Sequence, residues 1–178
     1  MCAIEVTPTI GTERLVLRGL VRADAARICE LLADPSVAAM TANVPHPYGA
    51  ADAEAFVDRA LARNWDREPG FVIEHRNFGL VGMLGTRIGE TGKAEIGFWL
   101  GRPFWNRGYA TEALRAALRW VKRDWRRNVV MAGHFSDNPA SGQVLCKADF
   151  LYTGDVELIP CAARGGAEIP TRMMVWLA

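Results

Sequence analysis

Residues 93–123 run from an alternating strand through a glycine turn into an amphipathic helix, a succession that leaves the chain few ways to fold. In Lys93-Ala94-Glu95-Ile96-Gly97-Phe98-Trp99-Leu100, Ile96, Phe98 and Leu100 share one face and Glu95, Gly97 and Trp99 the other, as in a strand. Downstream, Ala110, Ala113, Leu114, Ala117, Leu118 and Val121 recur at spacings of three and four and form one apolar stripe. Arg115, Arg119, Lys122 and Arg123 fall largely on the other side. The helix therefore packs lengthwise on a sheet while its N-terminus stays free. There, unpaired N–H groups and the positive end of the helix dipole form a site for phosphate, and Gly108 lets a ligand approach the backbone closely. By itself, a glycine ahead of a helix is mostly a simple turn.

The rest of the chain alternates in kind. Arg14-Leu15-Val16-Leu17-Arg18 has the period of a half-buried strand, followed by a helix with Ile28, Leu31 and Leu32 on its apolar face, ended by Asp34-Pro35. A Pro45–Gly49 loop leads to a helix over roughly Asp52 to Arg63, with Phe56, Val57, Ala60 and Leu61 facing inward. Strands are expected at Phe71–Glu74 and Leu80–Gly85, joined through Asn77-Phe78-Gly79, and the third strand follows Glu90-Thr91-Gly92. After the glycine-turn helix come a strand at Asn128 to His134, a short helix capped by Asn138 with Pro139 as its first residue, and two last strands near Phe150-Leu151-Tyr152 and Arg172 to Leu177. Hairpins followed by helical crossovers imply an α/β class, α+β in detail: one mixed sheet flanked by helices, antiparallel early and parallel near the glycine turn.

Composition bounds the rest. With 178 residues, half of them apolar, the chain has the size of one domain, expected to span residues 1–178. A net charge of +1 gives no field suited to nucleic acid or an anionic membrane, and no apolar run is long enough to span a bilayer. The basic run Lys122 to Arg127 reads as a solvated helix end opposing the negative dipole. Cys2, Cys29, Cys146 and Cys161 are scattered, with no paired spacing and no histidine at ligand distance in sequence, so no metal site is expected. Glu5, Glu13 and Arg14 interrupt any leader-like apolar stretch. A reduced, soluble, cytoplasmic protein is the expectation.

Trp105, Arg107, Gly108, Tyr109, Ala110, Thr111, Glu112 and Ala113 resemble the acetyl-CoA motif of the GNAT superfamily of N-acetyltransferases, in the RimJ/RimL branch, whose pattern reads approximately W-G-x-G-Y-A-T-E-A. Asn106 stands where that branch has glycine. Thr12 to Arg18 resembles the branch's opening strand, and Asn138-Pro139-Ala140-Ser141 with Val144, Leu145 and Lys147 resembles its N-x-x-S, V-L and K-x-G-F segment. Gly142, Cys146 and Asp149 depart from it, the last two standing where glutamate and glycine are usual.

The resemblance implies a GNAT fold and transfer of the acetyl group of acetyl-CoA to a primary amine by direct attack in a ternary complex. It places the pantetheine arm along a splayed strand at Gly97, Phe98, Trp99 and Leu100, and the diphosphate at Trp105, Asn106, Arg107, Gly108, Tyr109, Ala110 and Thr111. Asn138, Ser141 and Lys147 complete the cofactor set. Read as chemistry, a thioester-to-amine transfer needs a base, oxyanion donors and a proton for the thiolate. Glu95, acting through water, is the first candidate base, with His134 as runner-up; a backbone N–H near Phe98 or Trp99 meets the oxyanion; Ser141 protonates the thiolate, with Tyr109 behind it.

Each of these residues also has a structural reading: Gly97 as a bulge or packing glycine, Asn138 as a cap only, Glu95 as a paired surface charge, and His46 and His75 as loop residues without chemistry. The acceptor, a protein N-terminus or a small amine such as an aminoglycoside, polyamine or amino acid, would meet the first two helices, the Pro45–Gly49 loop and the last strands, with His46, Tyr48, Trp65 and Trp99 as lining. A homodimer stays open. The rivals are a CoA-binding module without catalysis and a protein that holds another nucleotide at Gly108, the latter without a Walker lysine or G-x-G-x-x-G motif.

Overall fold

The computed structural model describes residues 8–89 and 91–178; Cys2, Glu5 and Glu90, named above, lie outside the described residues. Eight strands form one mixed sheet in the order β1-β2-β3-β4-β5-β6-β8-β7. They are β1 (Ile10–Gly11), β2 (Leu15–Arg18), β3 (Gly70–His75), β4 (Gly79–Ile88), β5 (Ala94–Leu100), β6 (Val129–Phe135), β7 (Leu151–Cys161) and β8 (Ala167–Leu177). The helices are α1 (Ala25–Leu32), α2 (Pro35–Ala38), α3 (Ala50–Leu61), α4 (Tyr109–Arg123) and α5 (Pro139–Lys147). Helix α1 packs on α3 and β4, α4 on β2 and β5, and α5 on β6.

Among the described residues only β5 and β6 pair in parallel, joined by the crossover helix α4, and they pair at Ala94↔Val130 and Glu95↔Met131. Beyond that point the strands part. Every other neighbour pair is antiparallel and longer, apart from the two-residue β1.

All six residues of the apolar stripe on α4 are buried, together with Tyr109 and Ala116. Helix α1 ends at Leu32, before Pro35; Pro35 then opens the one-turn α2, capped by the Asp34 side chain, which accepts from the Ser36 N–H at 2.8 Å. Helix α3 starts two residues earlier than expected; in it Ala53 and Val57 face inward, Phe56 and Ala60 are half-buried, and Leu61, its last residue, is exposed. The closing hairpin β7–β8 is about twice as long as its sequence signal, since β7 is exposed along nearly all its length and shows no buried face.

Candidate active site

The site begins where β5 leaves β6. Gly97 pairs with Gly85 in an unbroken β4–β5 register, so it marks no bulge, and a Cβ there would meet nothing within 4 Å. Among the described residues, nothing fills the space next to that Cβ position. Trp99 and Phe98 are half-buried next to it. Trp105 closes the strand's exit: its indole N–H donates to the Leu100 carbonyl at 2.7 Å, and the Arg102 guanidinium lies 4.5 Å over its ring.

Between β5 and α4 the backbone twice turns left-handed, at Asn106 (φ 59°) and Gly108 (φ 78°). Residue 106 thus does need positive φ, and asparagine meets the need better than most side chains would. Among the described residues, no N–H from 106 to 111 has an acceptor in the chain; the first α4 bond is Glu112 N–H to the Gly108 carbonyl at 3.0 Å. Such a run of outward amides at a helix start is an anion cradle.

Arg14 and Glu112 hold the cradle in place. The Glu112 carboxylate accepts from the Thr12 hydroxyl at 2.7 Å and the Arg14 N–H at 2.9 Å, and pairs with the Arg14 guanidinium at 2.7 Å. Burial pushes the Glu112 carboxyl up, but these hydrogen bonds outweigh it and hold its pKa below the ordinary carboxylate value. Arg14 also donates to the Arg107 carbonyl at 3.0 Å, which turns one peptide oxygen of the loop away from the cradle. Beside it lies a cleft of about 430 Å³ that includes Arg14, Gly108, Thr111, Arg115, Arg119 and Lys147. Sequence reading had left Arg115 and Arg119 to solvent and missed the Arg14–Glu112 clamp, whose partners are 98 residues apart.

Helix α5 carries the second half. Asn138 both caps and orients: its Oδ1 accepts from the Ser141 N–H at 3.2 Å while its amide nitrogen donates to the Ser141 Oγ at 3.0 Å. With Oγ already accepting, the Ser141 O–H is free to donate outward. Asp149 takes φ 68° at the helix exit, where Phe150 N–H bonds the Leu145 carbonyl at 3.1 Å and Asp149 N–H the Cys146 carbonyl at 3.1 Å. That is an intact Schellman cap built on aspartate.

The other named candidates separate. Glu95 is ion-paired: Oε2 meets the Arg87 Nη2 at 2.7 Å and Nε at 2.8 Å, and Oε1 lies over the Gly89 backbone. His134 is buried, with Nδ1 2.9 Å from the Phe135 carbonyl and Nε2 3.0 Å from the Tyr152 hydroxyl, so both ring nitrogens are engaged and neither is free to act as a base. Tyr109 is buried with its ring against His75 (5.0 Å between centroids) and beneath Arg14 (4.8 Å), three strands from β6, where it anchors α4 rather than meeting Ser141. His75 ends β3 and is not a loop residue; its Nδ1 accepts from the Asn77 N–H.

Of the acceptor lining, Trp65 belongs to an aromatic cluster with Phe71 and Trp120. Tyr48 is core, its hydroxyl pushed up to about 12 by burial and by Asp52, while His46 is exposed. Among the described residues, no group of three or more His, Cys, Asp or Glu could hold a metal ion, and no helix is long and apolar enough to cross a membrane.

A split parallel pair followed by an amide cradle on the crossover helix is the arrangement expected from the motif, and residues 14–151 match the family model described as an acetyltransferase (GNAT) domain. The chain belongs to the GNAT acetyltransferase family. Its sequence is 27% identical over 150 residues to an uncharacterized N-acetyltransferase p20 of Bacillus licheniformis, covering 82% of this chain and 84% of that one. The fold is similar to RimL, the ribosomal L7/L12 alpha-N-protein acetyltransferase solved in complex with coenzyme A (TM-score 0.81, 18% identity, covering 96% of this chain and 98% of that one). It is also similar to the spermidine N-acetyltransferase of Vibrio cholerae solved with CoA and spermine (TM-score 0.77, 19% identity, covering 93% and 96%).

Proposed function

We propose that this GNAT acetyltransferase is an N-acetyltransferase that moves the acetyl group of acetyl-CoA to a primary amine by direct attack in a ternary complex. The observation that carries the reading is the row of amides at 106–111, without acceptors among the described residues, in the turn that follows β5 beyond the point where it parts from β6. The diphosphate lies on those amides, with Arg115, Arg119 and Lys147 adding positive charge. The pantetheine arm runs along Gly97 to Leu100, whose edge has no strand partner, in the manner of an added strand.

The acceptor nitrogen attacks the thioester carbonyl, giving a tetrahedral oxyanion met by a backbone N–H near Phe98 or Trp99. The proton that the acceptor's ammonium form must lose before the attack leaves through water to Oε1 of Glu95, the carboxylate oxygen that Arg87 leaves free. Collapse breaks the C–S bond, and Ser141, oriented by Asn138, gives its proton to the thiolate and regains one from the protonated nitrogen of the intermediate, which leaves as the neutral amide. Acid–base assistance is worth about 10² to 10⁴ in rate, and the larger share of the gain comes from holding two substrates in line.

Release of free thiol from acetyl-CoA, measured against a panel of N-terminal peptides, spermidine, aminoglycosides and amino acids, tests the reading and assigns the acceptor class. Turnover with at least one amine is expected, together with a fall in kcat of about 10² in Glu95→Gln at unchanged affinity for acetyl-CoA. Binding of acetyl-CoA with no release from any amine would leave a CoA-binding module instead.

A further inference from the structure

A second cleft, of about 350 Å³, lies between α5 and the β7–β8 hairpin, and the acetyl-transfer reading makes no use of it. At 100° per residue, Gly142 and Leu145 point toward the sheet, Ser141 and Ala148 occupy one flank of α5, and Pro139, Gln143 and Cys146 occupy the other. The cleft is on that other flank, away from Ser141.

Its floor is a polar pair, the buried His134 and the exposed Tyr152. A carbonyl can only accept, so the His134 Nδ1 facing the Phe135 oxygen carries the proton, Nε2 is the acceptor, and the Tyr152 O–H donates to it at 3.0 Å. Gly142 is the residue that lets α5 settle over this pair: a Cβ there would be 2.7 Å from His134 Nε2 and 3.0 Å from the Tyr152 oxygen. The mid-helix glycine, costly for α5 alone, thus has a packing reason.

The rim is rich in donors and free of carboxylates. Arg172 lies with its guanidinium 4.3 Å over the Tyr152 ring, and among the described residues it has no acidic partner. Ser136, Gln143 and Lys147 complete the rim, and no Asp or Glu lines it. Cations and neutral donors converging on a concave space without a counter-charge suit a ligand with an anionic oxygen group.

We propose that this cleft is a binding site for a small oxyanion, a phosphate monoester or a carboxylate, separate from the transfer centre. Arg172 supplies the charge and Ser136 and Gln143 the neutral donors, while Lys147, which lines both clefts, is left to the cofactor. The test separates it from the cofactor cleft by filling the latter. Thermal unfolding is followed in saturating acetyl-CoA with inorganic phosphate, glycerol 3-phosphate or succinate, against sodium chloride at matched ionic strength. At least one anion is expected to raise Tm saturably by about 5 °C beyond the chloride control. Arg172→Met weakens that response about tenfold or more in concentration, and Arg172→Lys restores part of it. Whether phosphate or succinate acts identifies the anion class.

Equal responses in wild type and Arg172→Met, or none beyond chloride, would overturn the site. Should acetyl-CoA itself produce no shift, the cofactor reading fails on its own. The Arg172 dependence, measured in the coenzyme-free protein, then decides the cleft by the same two outcomes.

Discussion

At single residues, the departures from the family pattern became intelligible only with the backbone in view. Asn106 and Asp149 both stand where glycine is usual and both take positive φ, so the conformations were kept and only the side chains changed. The sequence showed the mismatches but not whether the turns survived them, because a left-handed residue has no signature of its own beyond its preference for glycine. Asp149→Gly should stabilise the protein by up to about 1 kcal/mol, read as a higher denaturation midpoint at unchanged slope, since it removes a Cβ from a left-handed helix exit. A lower midpoint would mean that the carboxylate earns its place by a contact at the helix end. His134 is the opposite case. Its type and position suggested a base, but its ring is held by the carbonyl of the next residue of β6, Phe135, and by the Tyr152 hydroxyl on the edge strand β7, and sequence does not show that cross-strand pair.

Among the elements, α4 was the most legible, because its apolar stripe and glycine start are periodic and local. What locks it was not. Glu112 reaches Arg14 and Thr12 across the start of β2, a contact fixed by topology and not by spacing. Glu112→Gln keeps the shape but loses the charge-assisted bonds, for a cost of about 2 kcal/mol and a weaker grip on acetyl-CoA as the cradle loosens.

The pH dependence has a definite sign. The folded-state pKa of Glu112 is depressed, so its stabilisation is fully present above the unfolded-state value of about 4.3 and is lost as pH falls through the folded one. Asp137, lowered by its hydrogen bond and ion pair to Arg164, adds to the same trend. Urea midpoints of wild type and Glu112→Gln should therefore differ by a constant amount from pH 6 to 8 and converge below about pH 4. A gap that widens toward acid would contradict the assignment of the pair as stabilising.

For the molecule as a whole, the mixed sheet, the strands β2 to β8 and the parallel pair beside α4 were readable from alternation and loop lengths, whereas the two-residue β1 is too short to carry a period. The strand order β6-β8-β7 and the long closing hairpin were not, since β7 is an edge strand with no buried face to give a period. The sheet has local register shifts in β3–β4 and β7–β8, but β5 and β6 separate after two paired residues, so the backbone of 97–100 faces a gap on that side. A pantetheine arm bound in this gap takes the place of a missing strand.

Two measurements follow from the same geometry. Acetyl-CoA at 100 times its dissociation constant should stabilise the fold by about 2.7 kcal/mol, a rise in Tm of roughly 5 to 10 °C for a domain of this size. Amide exchange should slow selectively along residues 97–100 and 106–111, while the β7–β8 hairpin keeps its rates. Gly97→Val discriminates best: a Cβ there has nothing within 4 Å among the described residues, so Tm without ligand should hardly move, while affinity for acetyl-CoA should fall about tenfold or more as the branched side chain narrows the gap. Unchanged affinity in a well-folded Gly97→Val would show that the coenzyme does not lie along β5, even if the amides at 106–111 still bind its phosphates.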